Sequence, residues 1–340
     1  MDWKNGLGPR IRSKKVVLAL SLAAGLAVLS LVAGFALVSE GGAEDRAFSR
    51  FGFHTDTSRH SIDLDRLVSG GPGKDGIPAL TQPEFVPAAE VSLDEGVRGI
   101  LVEFEGQRRF YPFNIMVWHE VVNDRIGDEA FAVTFCPLCG SGIVFDREVE
   151  GKVLEFGVSG FLYESNLVMY DRETHSFWPQ SLGEAVAGKY TGTRLDILPM
   201  QLLTFGEASE KYSDLQLLSE DTGYVRDYRR NPYAGYEETE SLLFPVSVED
   251  KRFFAKELMY VFRLDQSSVA FPLEQLGPQG ASVDLKGRQV KVTRDGGEIT
   301  VTVDGEEVPG YVEMWFSWAT QHQEDGLVWE PDEPGAENEG

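Results

Sequence analysis

Residues 131–146 read FAVTFCPLCGSGIVFD, and they decide what kind of fold the chain can adopt. Residues 132–135 have the short apolar and β-branched pattern of a strand, and 143–146 read as the strand that returns. CPLCGSG between them holds a proline and two glycines, which punctuate a turn rather than continue a helix. The expectation is a β-hairpin with Cys136 and Cys139 at its turn.

Working outward, residues 100–104 alternate as a strand. Pro112 then stands where a helix would begin, and PFNIMVWHEVV at 112–122 keeps apolar residues at helical spacing until Asn123 and Asp124 stop it. Residues 153–158 continue the sheet, 199–218 look helical, and 222–245 are loop-rich. Trp315, Phe316 and Trp318 show near-strand alternation, which suits sheet core. A faint repeat lays VEFEGQRRFYPFNIM at 102–116 over FRLDQSSVAFPLEQL at 262–276. Downstream the thiol turn falls opposite the Gly-rich turn of VKVTRDGGEITVTVD. The expected fold class is α+β, strand-dominated, with an N-terminal transmembrane helix and two degenerate copies of a β-α-β-hairpin unit.

The membrane expectation rests on residues 16–38, VVLALSLAAGLAVLSLVAGFALV, a run without a charge and long enough to cross a hydrocarbon core. Lys4, Arg10, Arg12, Lys14 and Lys15 precede it, so the positive-inside bias places residues 1–15 in the cytoplasm and the rest outside. The competing reading, a cleaved signal peptide, would have a shorter apolar region and a small-x-small cleavage site. Further divisions are a stalk at 39–60, an extracytoplasmic globular domain at 61–323 and an acidic disordered tail at 324–340. Of 340 residues, 31 are basic and 55 acidic. Beyond residue 39 the surface is strongly acidic and poor in lysine, as suits a halophile's protein in concentrated salt. Such a surface repels nucleic acid and excludes it as a partner, leaving the membrane and a small ligand or metal ion. The chain has 2 cysteines, too few for a disulfide framework.

SGGPGKDGIPAL, YPFNIMVWHEVVND, VTFCPLCGSGIVFDR, FGVSGFLYESNLVMYDRETHSFWPQ, RDYRRNPYAGYE and WFSWA together resemble the family called domain of unknown function 3179. The resemblance runs from about Phe51 to about His322. It implies little chemistry, since the family's name assigns no activity.

The residues themselves offer two chemistries at Cys136 and Cys139. In thioredoxin-like redox pairs the first cysteine opens a helix whose dipole lowers its pKa. Here Gly140, Ser141 and Gly142 follow and then a strand, so a metal knuckle fits better, its backbone N–H groups pointing at the thiolates. A closed zinc site needs two more ligands. His119, on an apolar helix face beside Ile115 and Val122, is the expected third group, with Glu120 directed to another face. Two thiolates alone suit a soft ion such as copper(I). A thiol-disulfide enzyme using the same pair is the alternative, and incidental core cysteines in an interaction domain a further one. Ser159, Tyr163, Ser165, Asp171, Arg172, Thr174, His175 and Gln180 form a polar block after the hairpin that could wall a pocket.

Overall fold

The computed structural model describes residues 48–330. Among them, 23 strands form five sheets, with three α-helices of 7 residues each. The largest sheet has eight strands, in the order Leu80–Thr81, Val121–Ile126, Glu129–Cys136, Ser141–Asp146, Gly310–Met314, Leu258–Leu264, Ser267–Pro272 and Gly326–Val328. The thiol hairpin lies at its centre. Its register pairs Thr134 with Ile143 and closes on Cys136 opposite Ser141. Gly142 opposite Val312 joins it to the second half of the sheet.

Strand alternation explains how the hairpin is buried on both faces. Ala132, Cys136, Ile143 and Phe145 enter one core with Met169, Trp178 and Trp318. Phe131, Val133, Phe135 and Val144 enter a second with Ile100, Tyr111 and Met116. A four-stranded sheet, Val68–Ser69, Phe156–Tyr163, Asn166–Asp171 and Phe177–Pro179, covers the first core. A five-stranded sheet holding Arg98–Phe104 and Gln107–Pro112 contributes to the second.

Each helix continues directly from a strand: α1 is Phe113–His119, α2 is Phe205–Lys211 and α3 is Trp315–Gln321. Glu120 ends α1 with φ of 60°, outside the helical region, and Val121 begins a strand. The helix expected over 112–122 is therefore cut short, because Val121 and Val122 pair with Thr134 and Val133. In place of a helix over 199–218 stand the strand Gln201–Thr204, α2 with a Thr204–Glu207 capping box, and the strand Gln216–Leu218. Trp315, Phe316 and Trp318 are core, but on α3. Their spacing of one and two satisfies either period over so short a run.

The expected fold class is corrected in two respects. No helix of the described residues is long and apolar enough to cross a membrane. The single-pass placement in the cytoplasmic membrane is therefore not supported by the described residues; the apolar run at 16–38 lies outside them. Nor are there two copies of a β-α-β-hairpin unit. Both matched stretches are hairpins ending in proline, but Pro112 leads into α1 and Pro272 into a three-residue 3-10 turn. The first hairpin belongs to the five-stranded sheet and the second to the eight-stranded one.

The stalk reading fails from residue 48 on, where Phe48 and Phe53 are buried against Phe161 and Phe177. The tail is likewise ordered through Gly326–Val328, which pairs with Ser268, Val269 and Ala270; residues 331–340 lie outside the described residues.

Candidate functional site

The turn at 137–140 carries Gly140 at φ of 55°, and a Cβ there would meet Met314 Cε at 3.0 Å. Glycine is required on both counts. The Met314 N–H donates to the Cys139 carbonyl at 2.8 Å and fixes the turn to the neighbouring strand. Cys136 and Cys139 are 1% and 0% exposed, and both are free thiols. Burial pushes the Cys136 thiol well up, reinforced by the neighbouring Cys139 thiol and by the nearby Glu120 carboxyl.

The two sulfurs have different surroundings. Asn166 Nδ2 donates to Cys139 Sγ at 3.0 Å, and Ser141 Oγ stands 3.2 Å from it. Ser141 in turn donates to Gln180 Oε1 at 2.5 Å, while Gln180 Nε2 donates to Thr134 Oγ1 at 2.8 Å. Asn166 Oδ1 accepts the Ser181 N–H at 3.0 Å. Ser181 Oγ donates to Glu313, whose Oε1 also accepts from Ser317 at 2.6 Å. Glu313 is wholly buried and its Oε2 has no partner among the described residues; burial raises its pKa. Cys139 thus heads a polar chain through buried protein, whereas Cys136 faces Glu120. Glu120 is 7% exposed, and burial alone pushes its pKa up to about 8.

The segment between the strands ending at Leu218 and starting at Leu258 holds neither helix nor strand and covers this site. Its Tyr233, Leu242, Phe244, Val246, Phe253 and Ala255 pack on the core that contains the thiols. The Tyr233 hydroxyl is pushed up to about 12, by burial first and then by Glu120 and Cys136. That of Tyr236 is raised by burial, then by Cys139. Lys256, 5% exposed, donates to the carbonyls of Tyr236, Thr239 and Ser241 at 2.6, 2.7 and 2.8 Å. Its Nζ lies 3.6 Å from the Tyr236 ring centroid.

His119, expected as the third ligand, is engaged elsewhere. Nδ1 lies 2.8 Å from the Pro78 carbonyl and Nε2 2.8 Å from the Tyr228 hydroxyl. A carbonyl only accepts, so Nδ1 carries the proton and Nε2 takes the Tyr228 O–H. Burial lowers its pKa and favours this neutral form. Among the described residues no group of three or more His, Cys, Asp or Glu side chains is placed to hold a metal ion, which corrects the three-ligand set of Cys136, Cys139 and His119.

The expected pocket wall disperses as well. Ser159 bonds its own hairpin at Val168 O. Asp171 is buried as the acceptor of Thr174, Ser176 and Trp178. Arg172 pairs with Asp75 and Glu155, and His175 accepts the His54 N–H at 2.9 Å. Ser165 is buried in the turn between two strands, and Tyr163 lines a separate cleft with Arg66. Of the polar block only Gln180 joins the thiols. Asn166, Glu313, Tyr233 and Tyr236 do so without having been singled out, and so does Glu120, which the sequence placed only as directed away from the face of His119. The one signal for Glu120 was its position just past the last helical turn, which the register sets opposite Phe135, one residue before Cys136.

Residues 74–305 match the family described as Protein of unknown function (DUF3179). The chain belongs to that family. No curated protein matches it, and no solved structure does. The DUF3179 match takes in α1, the thiol hairpin, Asn166, Gln180 and the covering segment. It stops short of the strand and helix that supply Glu313, Met314 and Ser317.

Proposed function

We propose that Cys136 and Cys139 form a two-thiolate site for a soft, low-coordinate metal ion such as copper(I). The observation that carries this reading is the meeting of two free, buried thiols in one strand-turn-strand, with Cys139 Sγ 3.9 Å from the Cys136 carbonyl. No imidazole is placed as a third donor among the described residues. Thiolates select soft ions, and a monovalent one is satisfied by two. Binding one such ion releases two protons and leaves one net negative charge on the complex. A Glu120 that stays protonated up to about pH 8 adds no second charge beside it.

The asymmetry of the two sulfurs favours a second reading, thiol-disulfide exchange. There Cys139, supplied with the Asn166 N–H, would attack a partner disulfide, and Cys136 would resolve the mixed disulfide, its proton passing to the partner's departing thiolate. Two electrons and two protons would leave the pair, and the partner would become a dithiol.

Metal analysis with thiol titration on the reduced protein, purified without chelator and then titrated with copper(I), separates the two. The first reading expects one ion per chain, binding lost in both Cys136→Ser and Cys139→Ser, and affinity unchanged in His119→Gln. Full thiol titre with no copper(I) retained would sink it. A metal-free dithiol–disulfide couple, with mixed disulfides trapped only in Cys136→Ser, would establish the second.

A further inference from the structure

The Gln180–Leu182 stretch faces two ways. Gln180 and Ser181 serve the thiol network, and the Leu182 carbonyl accepts from Arg263 Nη2 at 2.8 Å. Arg263 lines a cleft of about 620 Å³ with Arg66, Arg194, Gln321, His322 and Asp325. Most charges there are matched: Arg66 by Glu164, Arg194 by Glu184, Asp265 by Arg288 and Asp325 by His322. Glu324 stands on the exposed rim. Arg263 has no carboxylate within ion-pair reach among the described residues, where the Leu182 carbonyl is its one acceptor. Desolvation, with the neighbouring Arg194 charge, disfavours its cationic form against the weaker opposing pull of Tyr311, Glu184 and Asp325. A half-buried guanidinium left this way is a standing site for an anion.

Two acceptors complete the cleft. The His322 side chain is 10% exposed, with Nδ1 3.1 Å from Asp325 Oδ1. A carboxylate accepts only, so Nδ1 carries a proton, and in the Nδ1–H tautomer Nε2 is a bare acceptor. That Nε2 is buried without a partner among the described residues, and so is Gln321 Oε1. Buried acceptors left open favour a ligand that brings a hydroxyl to them.

We propose that this cleft binds a small oxyanion that also carries a hydroxyl, a hydroxycarboxylate or a hydrogen phosphate, with its charge on Arg263 and its O–H at His322 Nε2 or Gln321 Oε1. The shared chemistry is an oxyanion on a guanidinium and a hydroxyl on an orphaned acceptor.

Calorimetric titration of the full chain with glycolate, acetate and inorganic phosphate, at constant ionic strength, tests it. Saturable binding of glycolate or phosphate is expected, and the stronger of the two identifies the oxyanion. Acetate should bind about tenfold more weakly than glycolate, the effect of one buried acceptor left unpaired. Arg263→Gln should lose binding of all three. His322→Phe combined with Gln321→Leu should abolish the preference for glycolate while leaving acetate affinity within twofold. The proposal is overturned by failure of both glycolate and phosphate to saturate, or by equal affinity for glycolate and acetate in the unsubstituted protein. An Arg263→Gln variant that folds and binds as before would overturn it equally. Should that variant not fold, the double substitution, with native circular dichroism, decides.

Discussion

Asn166 Nδ2 stands 3.0 Å from Cys139 Sγ, and the same side chain accepts the Ser181 N–H through Oδ1. One amide therefore fixes both the sulfur and the turn that carries Gln180. Asn166→Ala should leave the Ser181 N–H without its partner and the sulfur without its donor. Each buried group left unsatisfied costs about 1–3 kcal/mol, so urea unfolding should show a loss of about 3 kcal/mol. Copper(I) affinity should fall about 10–100-fold, as for a lost outer-shell partner. A variant as stable as the parent and binding equally well would remove Asn166 from the site.

Glu120 makes stability depend on pH in a stated direction. Its folded pKa of about 8 lies above the ordinary value of 4.5, so between those limits the folded state holds a proton that the unfolded state has lost. Stability from this group is present below pH 4.5 and declines as pH rises towards 8, by about 1.4 kcal/mol per unit. Glu120→Gln cannot ionise and should flatten that decline across pH 5–8. Parallel stability profiles for the two proteins would show that the carboxyl is not held neutral.

The hairpin was legible because a Pro and two Gly between two apolar runs admit little else, and strand alternation then sends Cys136 into the core. The partners of the thiols were not. Asn166 and Gln180 reach Cys139 and Ser141 from a different sheet, and Tyr233 and Tyr236 come from a segment with no period to read. His119 shows the converse error. It shares the helix with buried Ile115, but Val122 belongs to the following strand, and Pro78 and Tyr228, remote in sequence, already satisfy both ring nitrogens. Spacing reports which face a side chain takes, not what tertiary neighbour meets it.

The acidic composition yields a further expectation. With 55 acidic against 31 basic residues, self-repulsion grows as the Debye length lengthens. Arg108 answers Glu103 and Asp214, and Arg288 answers Asp265 and Asp304, yet most acids among the described residues are without such a partner. The melting temperature should rise between about 0.1 M and 2 M KCl, a span from weak to strong screening. No change over that range would refute adaptation to salt.

Access to the thiols should depend on Lys256. Cys136 and Cys139 are buried, so a metal ion or a thiol reagent arrives only when the protein over them opens, and the covering segment is the element lying on their core. Such a long stretch without regular structure has few backbone bonds of its own to hold it, and lids are drawn from such segments. Lys256 supplies what the backbone lacks, by tying the carbonyls of Tyr236, Thr239 and Ser241 to one ammonium. Lys256→Met keeps the apolar stem and removes those donors. If opening of the segment governs access, labelling of the cysteines by a small alkylating reagent should speed up at least tenfold, about 1.4 kcal/mol of easier opening. Protease cleavage should rise within residues 219–257 while the sheet strands stay protected. Labelling that accelerates only in step with global unfolding would assign Lys256 to stability alone. An unchanged rate would mean that the thiols are reached by a route that does not cross this segment.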